Sequence, residues 1–140
     1  MLVMAILSLM LALAAPEFST IIHKQRLQSD AQRMSGVLRM ARQEAITSGQ
    51  TQVIYFFTSD TKYKVKNGST YQLSPGISYL GLTTFDKHDN KAACIFSPSG
   101  VPSHAGTVTL ENQKGERRYI IVSVAAGRIR VSDEPPPSWE

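Results

Sequence analysis

The chain holds a single cysteine, Cys94. That excludes an intrachain disulfide and a cysteine-based metal cluster, and leaves a small, buried apolar role as the default for its side chain. Histidine is nearly as scarce: His23, His88 and His104 are far apart, none has a second ligand at i, i+4 spacing, and no carboxylate pair or nucleophile elbow accompanies them. Metal-assisted and nucleophilic chemistry therefore lack their parts. No glycine precedes a Lys-Ser or Lys-Thr pair at phosphate-loop spacing, and no repeat of solenoid period is present. The expectation is a non-enzymatic protein with no cofactor and no metal. Positive charge is also missing at the front. Ala12-Leu13-Ala14 resembles a small-residue cleavage site, yet no basic region precedes the apolar run as a secretory signal peptide requires. Overall the 140 residues carry a formal charge of +4 and a pI near 9.4. Such a balance suits an acidic partner such as nucleic acid or lipid headgroups without demonstrating one.

What is present is one long helical stretch, Met1 to about Ser48. From Met1 to Ala15 every residue except Ser8 is apolar, so a helix here is apolar on all sides, as in a membrane or a buried bundle. The run before Pro16 falls short of the ~20 apolar residues of a full span, and Pro16 itself is expected to kink or open the helix. Beyond it Leu27, Ala31, Met34, Leu38, Ala41 and Ala45 recur at alternating steps of four and three. Lys24, Arg26, Asp30, Arg33, Arg39, Arg42 and Glu44 fill the other faces, which makes an amphipathic helix with one side against a partner surface. Gly49 supplies the C-terminal cap.

The remainder, from Gln50, suffices for one compact head. Gln52–Phe57 reads as a buried strand, and Thr58 to Asp60 as a turn. Lys62–Lys66 and Thr70–Leu73 form a hairpin around Asn67-Gly68, a pair suited to a type I′ turn with positive φ at both central positions. A short strand follows over Ile77–Leu82, then an exposed polar loop over Thr83–Lys91. Ala92–Phe96, Thr107–Glu111, Arg117–Val124 and Arg128–Val131 are the later strands. Asp133 to Glu140, with three consecutive prolines, reads as an extended tail.

The order of apolar run, proline, Arg- and Ala-rich amphipathic helix and β-rich remainder resembles the type IV pilins and pseudopilins. Within these, Leu38-Arg39-Met40-Ala41-Arg42-Gln43-Glu44-Ala45-Ile46-Thr47-Ser48-Gly49-Gln50 is similar to the L-R-x-A-R-x-E-A-I-x-x-G helix end of the GspH/FimT group. Ile95-Phe96-Ser97-Pro98-Ser99-Gly100 and Gly127-Arg128-Ile129-Arg130 resemble that group as well. The resemblance implies an α+β, type IV pilin-like fold: a long N-terminal helix packed on an antiparallel β-sheet head. It divides the chain into a transmembrane and filament-core helix (1–22), a head including the amphipathic helix 23–48 (23–132), and a tail (133–140). The group's processing motif, a basic leader followed by Gly-Phe-Thr-Leu-Ile-Glu, would fall immediately before Met1. The expectation is that Met1 is internal and that in-frame codons upstream encode this motif, the substrate of prepilin peptidase; a stop codon directly before Met1 refutes it.

If Arg128–Val131 is a strand, Arg128 and Arg130 share one face while Ile129 and Val131 point inward, and Gly127 permits a tight entry. With Arg117 and Arg118 on the preceding strand nearby, these would form a compact phosphate-binding patch. On spacing alone a solubilising edge face is the stronger reading. The Gly-Arg-x-Arg element, however, looks like the one associated with DNA binding in FimT-like minor pilins of naturally transformable bacteria. The resemblance therefore implies a minor pilin in the bacterial inner membrane, its head in the periplasm, that assembles with major and minor pilin subunits through its N-terminal helix. It would take up double-stranded DNA, without sequence preference, through Arg128, Arg130, Gly127, Arg117 and Arg118. The first alternative is a GspH-like minor pseudopilin of a type II secretion system with no nucleic-acid role, and a more distant one is a signal-peptide-cleaved periplasmic binding domain.

Overall fold

The computed structural model describes residues 1–137, apart from the side chains of residues 14–17. The kink expected at Pro16 and the last three residues of the tail lie outside the described residues. Helix α1 (Leu2–Ser48) ends at Gly49, whose φ of 67° gives the left-handed cap. At ~1.5 Å per residue a helix of this length reaches roughly 70 Å, more than twice the stretch from Leu27 to Ala45 that packs on the head. Its described side chains up to Ile22 are exposed, almost all of them apolar, and burial begins in earnest at Leu27. By length and composition this helix can cross a membrane.

The fold is α+β. Nine strands follow the helix: β1 (Gln52–Phe57), β2 (Lys62–Val65), β3 (Thr70–Gln72), β4 (Ile77–Tyr79), β5 (Lys87–His88), β6 (Lys91–Phe96), β7 (Gly106–Asn112), β8 (Arg117–Val122) and β9 (Ile129–Ser132). They form two antiparallel sheets, one ordered β3-β2-β1-β6-β5 and the other β4-β7-β8-β9. The six stripe residues of the helix all lie in one buried cluster with Ile54, Phe56, Cys94 and Phe96 of the first sheet and Val108, Leu110, Ile120 and Val122 of the second. The helix is thus the element on which both sheets close. Burial pushes the Cys94 thiol up to about 12, leaving it a neutral packing group.

Three local expectations are corrected. Neither Asn67 nor Gly68 has positive φ; their turn is closed by Gly68 N–H donating to Val65 O (3.0 Å) and Val65 N–H donating to Ser69 O (3.2 Å). The hairpin therefore spans a longer loop, in which no left-handed pair is required. The stretch Thr83–Lys91 is not simply an exposed loop. Phe85 is buried and stacks on Phe56 with centroids 5.3 Å apart. Strand β5 pairs with β6 across Asp89-Asn90, whose φ values of 52° and 63° are those of a type I′ turn. Asp30, grouped above with the polar faces, is buried: it accepts from Ser74 N–H (2.6 Å) and from the Ser74 hydroxyl (2.9 Å), with Arg33 3.7 Å away. A buried carboxylate so partnered fixes the bend at Ser74-Pro75-Gly76 against the helix.

Candidate functional site

The C-terminal basic element is built by a turn and an edge strand. After β8 the chain makes a short 3-10 turn, Ala125–Gly127, in which Ala126 and Gly127 both take positive φ (58° and 60°). Arg128 is extended and leads into β9. In β9 Ile129 is buried, Val131 packs on the core and Arg130 is exposed, as is Arg128 just before the strand, in the alternation that extended backbone requires. Arg130 sits opposite Ile121 of β8. The two arginines line an open cleft of about 530 Å³ on the outer face of the second sheet, together with Thr84, Thr107 and Ser123. Neither arginine has an ion-pair partner among the described residues. The tail does not extend freely: Pro136 is buried, and with Pro137 it forms one wall of this cleft.

Arg117 and Arg118 are not part of that grouping. Ile121, opposite Arg130, is four residues along β8 from Arg117, roughly 13 Å at ~3.3 Å per residue. Arg117 Nε donates to Glu111 Oε2 at 2.9 Å, which holds its guanidinium still more firmly protonated. Arg118 points to the other face, where Nε donates to Gln28 Oε1 of α1 (2.8 Å) and pairs with Asp133 (3.2 Å). Of the five residues singled out by sequence, the structure brings together Gly127, Arg128 and Arg130 and leaves these two at the far end, with their charges engaged. His88 and His104 pair with Asp89 and Asp86, at 3.6 and 3.3 Å.

Sequence reasoning missed the role of the helix arginines. Read as filling polar faces, they reach across to main-chain carbonyls of the head. Arg33 donates to Gln72 O. Arg39 donates to Ile129 O at 3.1 Å. Arg42 bridges two carbonyls, with Nε donating to Gly100 O at 2.8 Å and Nη2 to Ala126 O at 3.2 Å. The three segments that carried the resemblance, 38–50, 95–100 and 127–130, therefore meet at one place. Arginines flanking the apolar stripe, together with two distant glycine-ended segments of the same group, were the signal that could have located the junction.

A helix whose far half is the spine of two antiparallel sheets, and whose near half presents exposed apolar side chains, defines the pilin class of filament subunits. The sequence profile described as "Type II transport protein GspH" matches residues 30–127, and the chain belongs to that family of minor pilins and pseudopilins. Among solved structures it is similar to the minor pseudopilin EpsH from the Type 2 Secretion System of Vibrio cholerae, with TM-score 0.63 and 14% identity over 76% of this chain and 96% of that one. It is also similar to the type IV minor pilin FimU of Pseudomonas aeruginosa in two crystal forms. One has TM-score 0.58 and 18% identity over 81% of this chain and 95% of that one. The other has TM-score 0.59 and 17% identity over 84% and 92%. At such identities the likeness concerns the fold. Comparison with curated protein sequences finds no match. The family and these neighbours are structural pilin or pseudopilin components, not enzymes, and the family implies assembly with other pilus or pseudopilus subunits.

Proposed function

We propose that this chain is a FimT-like minor pilin of a type IV pilus whose Arg128–Arg130 cleft binds extracellular double-stranded DNA for uptake in natural transformation. The N-terminal part of α1 holds it in the inner membrane before assembly and then packs against other pilin helices, where small and apolar side chains favour close approach. The supporting observation is the pair of arginines side by side, exposed and without ion-pair partners among the described residues, in a cleft of about 530 Å³. Two free guanidiniums at that spacing suit phosphate oxygens. A patch of two guanidiniums contacts phosphates and not base edges, so binding is expected to be indifferent to sequence.

The test uses the full chain in a non-ionic detergent. Arg128→Gln with Arg130→Gln is expected to weaken duplex binding by roughly tenfold or more, since charge-assisted hydrogen bonds are lost. The slope of log K against log salt is expected to become shallower by roughly 2, at ~0.9 per phosphate. Thermal unfolding stays nearly unchanged, because exposed charges contribute little to stability. The charge-matched control is Lys64→Gln with Lys66→Gln, at two exposed positions on and beside β2 in the other sheet. An equal loss in that control means diffuse attraction and no site. The second reading is a GspH-like pseudopilin of a type II secretion system, favoured by the family profile and the likeness to EpsH. Absence of DNA binding by the unmutated chain at low salt selects it, as do secretion-channel and ATPase genes beside its own.

A further inference from the structure

We infer that Arg42, seconded by Arg39, is a positioning residue for the Arg128–Arg130 pair, setting from inside the head how those two side chains are presented. The inference rests on the cleft reading above. Its basis is where the helix arginines spend their donors. The carbonyls they take, Ala126 O and Ile129 O, flank Arg128 on both sides. The same Arg42 guanidinium is tied through Nε to Gly100 O, so the turn before β9 is fastened to α1 and to the Gly100 loop at once. Little else holds it. The turn's own closing bond, Gly127 N–H to Val124 O, is long at 3.4 Å, and the ladder to β8 begins at Ile129, preceded by one bond from Ser123 N–H to Arg128 O (2.9 Å).

The contact is close enough to dictate a residue type. A Cβ on Gly127 would lie 2.8 Å from Arg42 Nε and 2.5 Å from Gly100 O. Ala126 meanwhile is held at φ 58°, a conformation an alanine adopts only when its surroundings impose it. A guanidinium can serve two carbonyls in different directions because its donors are fixed in a plane. An ammonium can carry the same charge to this point, but not the same geometry.

The charge-conserving substitution therefore separates positioning from electrostatics, in the full chain in non-ionic detergent with duplex DNA as probe. In Arg42→Lys, amide hydrogen exchange at residues 126–129 is expected to quicken while the helix amides of residues 34–45 keep their protection. Duplex affinity is expected to fall roughly tenfold, the scale of one charge-assisted hydrogen bond. The salt slope becomes shallower although no charge has been removed. Arg39→Lys can remake its single bond and is expected to stay near the unmutated chain, whereas Arg39→Gln loses affinity. Unmutated exchange at 126–129 in Arg42→Lys overturns the inference, and so does full affinity despite faster exchange. If Arg42→Lys leaves the head unfolded, Arg39→Gln carries the test through hydrogen exchange at residues 126–129, with Lys64→Gln as the charge-matched control for its loss of affinity. An unmutated chain that binds no DNA refutes the cleft reading, and the exchange pattern alone then decides whether Arg42 holds the turn.

Discussion

Leu38→Asp is expected to abolish the cooperative thermal transition of the head, followed by near-ultraviolet circular dichroism on the full chain in non-ionic detergent. Leu38 is fully buried in the cluster that joins α1 to both sheets, so no rotamer carries a carboxylate there to water. Truncating a buried leucine costs about 2–5 kcal/mol by itself, and an unpaired buried carboxylate adds several more. Against a domain stability of about 5–15 kcal/mol the two together leave little or nothing. Leu38→Ala isolates the first contribution and is expected to fold with a lowered midpoint. Met40→Asp, two residues along on the exposed face, is expected to leave the transition in place. A folded Leu38→Asp head would mean that the stripe faces a neighbouring subunit instead of its own sheets.

The stripe was legible because helical period is a strong local signal and because all six of its residues have one job. Leu27, Ala31, Met34, Leu38, Ala41 and Ala45 sit in the core in the order their spacing dictates. The strands were legible where alternation or β-branched runs marked them. The run in β1 hid a further feature: Ile54 and Phe56 face the core, while Val53 and Tyr55 form a second cluster on the outer face. Lysine side chains cover that cluster. Lys91 Nζ lies 5.7 Å from the Tyr55 ring centroid, and Lys62 and Lys91 each lie 5.4 Å from that of Phe57. Stems that bury apolar surface while the ammonium stays wet are not visible in a hydrophobic pattern. Turn geometry was the weakest part. Asn67-Gly68 has the composition of a type I′ turn and does not adopt it, and Asp89-Asn90 adopts it inside a stretch whose polarity read as loop. Both residue pairs tolerate left-handed φ, and tertiary pairing of the flanking strands decides which one uses it.

The candidate site was half legible. That Arg128 and Arg130 share a face follows from strand alternation and needs no tertiary knowledge. The distance to Arg117 and Arg118 depends on the register of β9 against β8, which a sequence does not print. With Tyr119 opposite Ser132 and Ile121 opposite Arg130, the two arginine pairs fall at opposite ends of the ladder, and Arg118 turns inward to Gln28. Equally hidden was the use of Asp30, Arg39 and Arg42 as fasteners. Each looks like a solvated helix residue until the carbonyl or amide it serves, 44 to 90 positions away, is brought beside it.

Gly127→Ala is expected to lower the thermal midpoint by roughly 10 °C and to weaken DNA binding, whereas Gly115→Ala lowers the midpoint by roughly half as much and leaves binding alone. Both glycines have positive φ, +60° and +80°, so each alanine carries the left-handed penalty, about 1–2 kcal/mol. They differ in what a methyl meets. At Gly115, in the β7–β8 turn, nothing lies within 4 Å, and the penalty is the whole effect. At Gly127 the nearest atoms are a main-chain oxygen at 2.5 Å and the Arg42 guanidinium nitrogen at 2.8 Å, so either the turn or the Gly100 loop must move. Displacing main chain and loosening two charge-assisted hydrogen bonds brings the total to about 2–4 kcal/mol. Over a head of this size that corresponds to roughly 10 °C. Because the displaced turn leads directly into Arg128, the binding loss accompanies the destabilisation in one variant and not in the other. Equal midpoint shifts for Gly127→Ala and Gly115→Ala would mean that backbone conformation alone, and not the close approach of helix, loop and turn, is what the glycine at 127 serves.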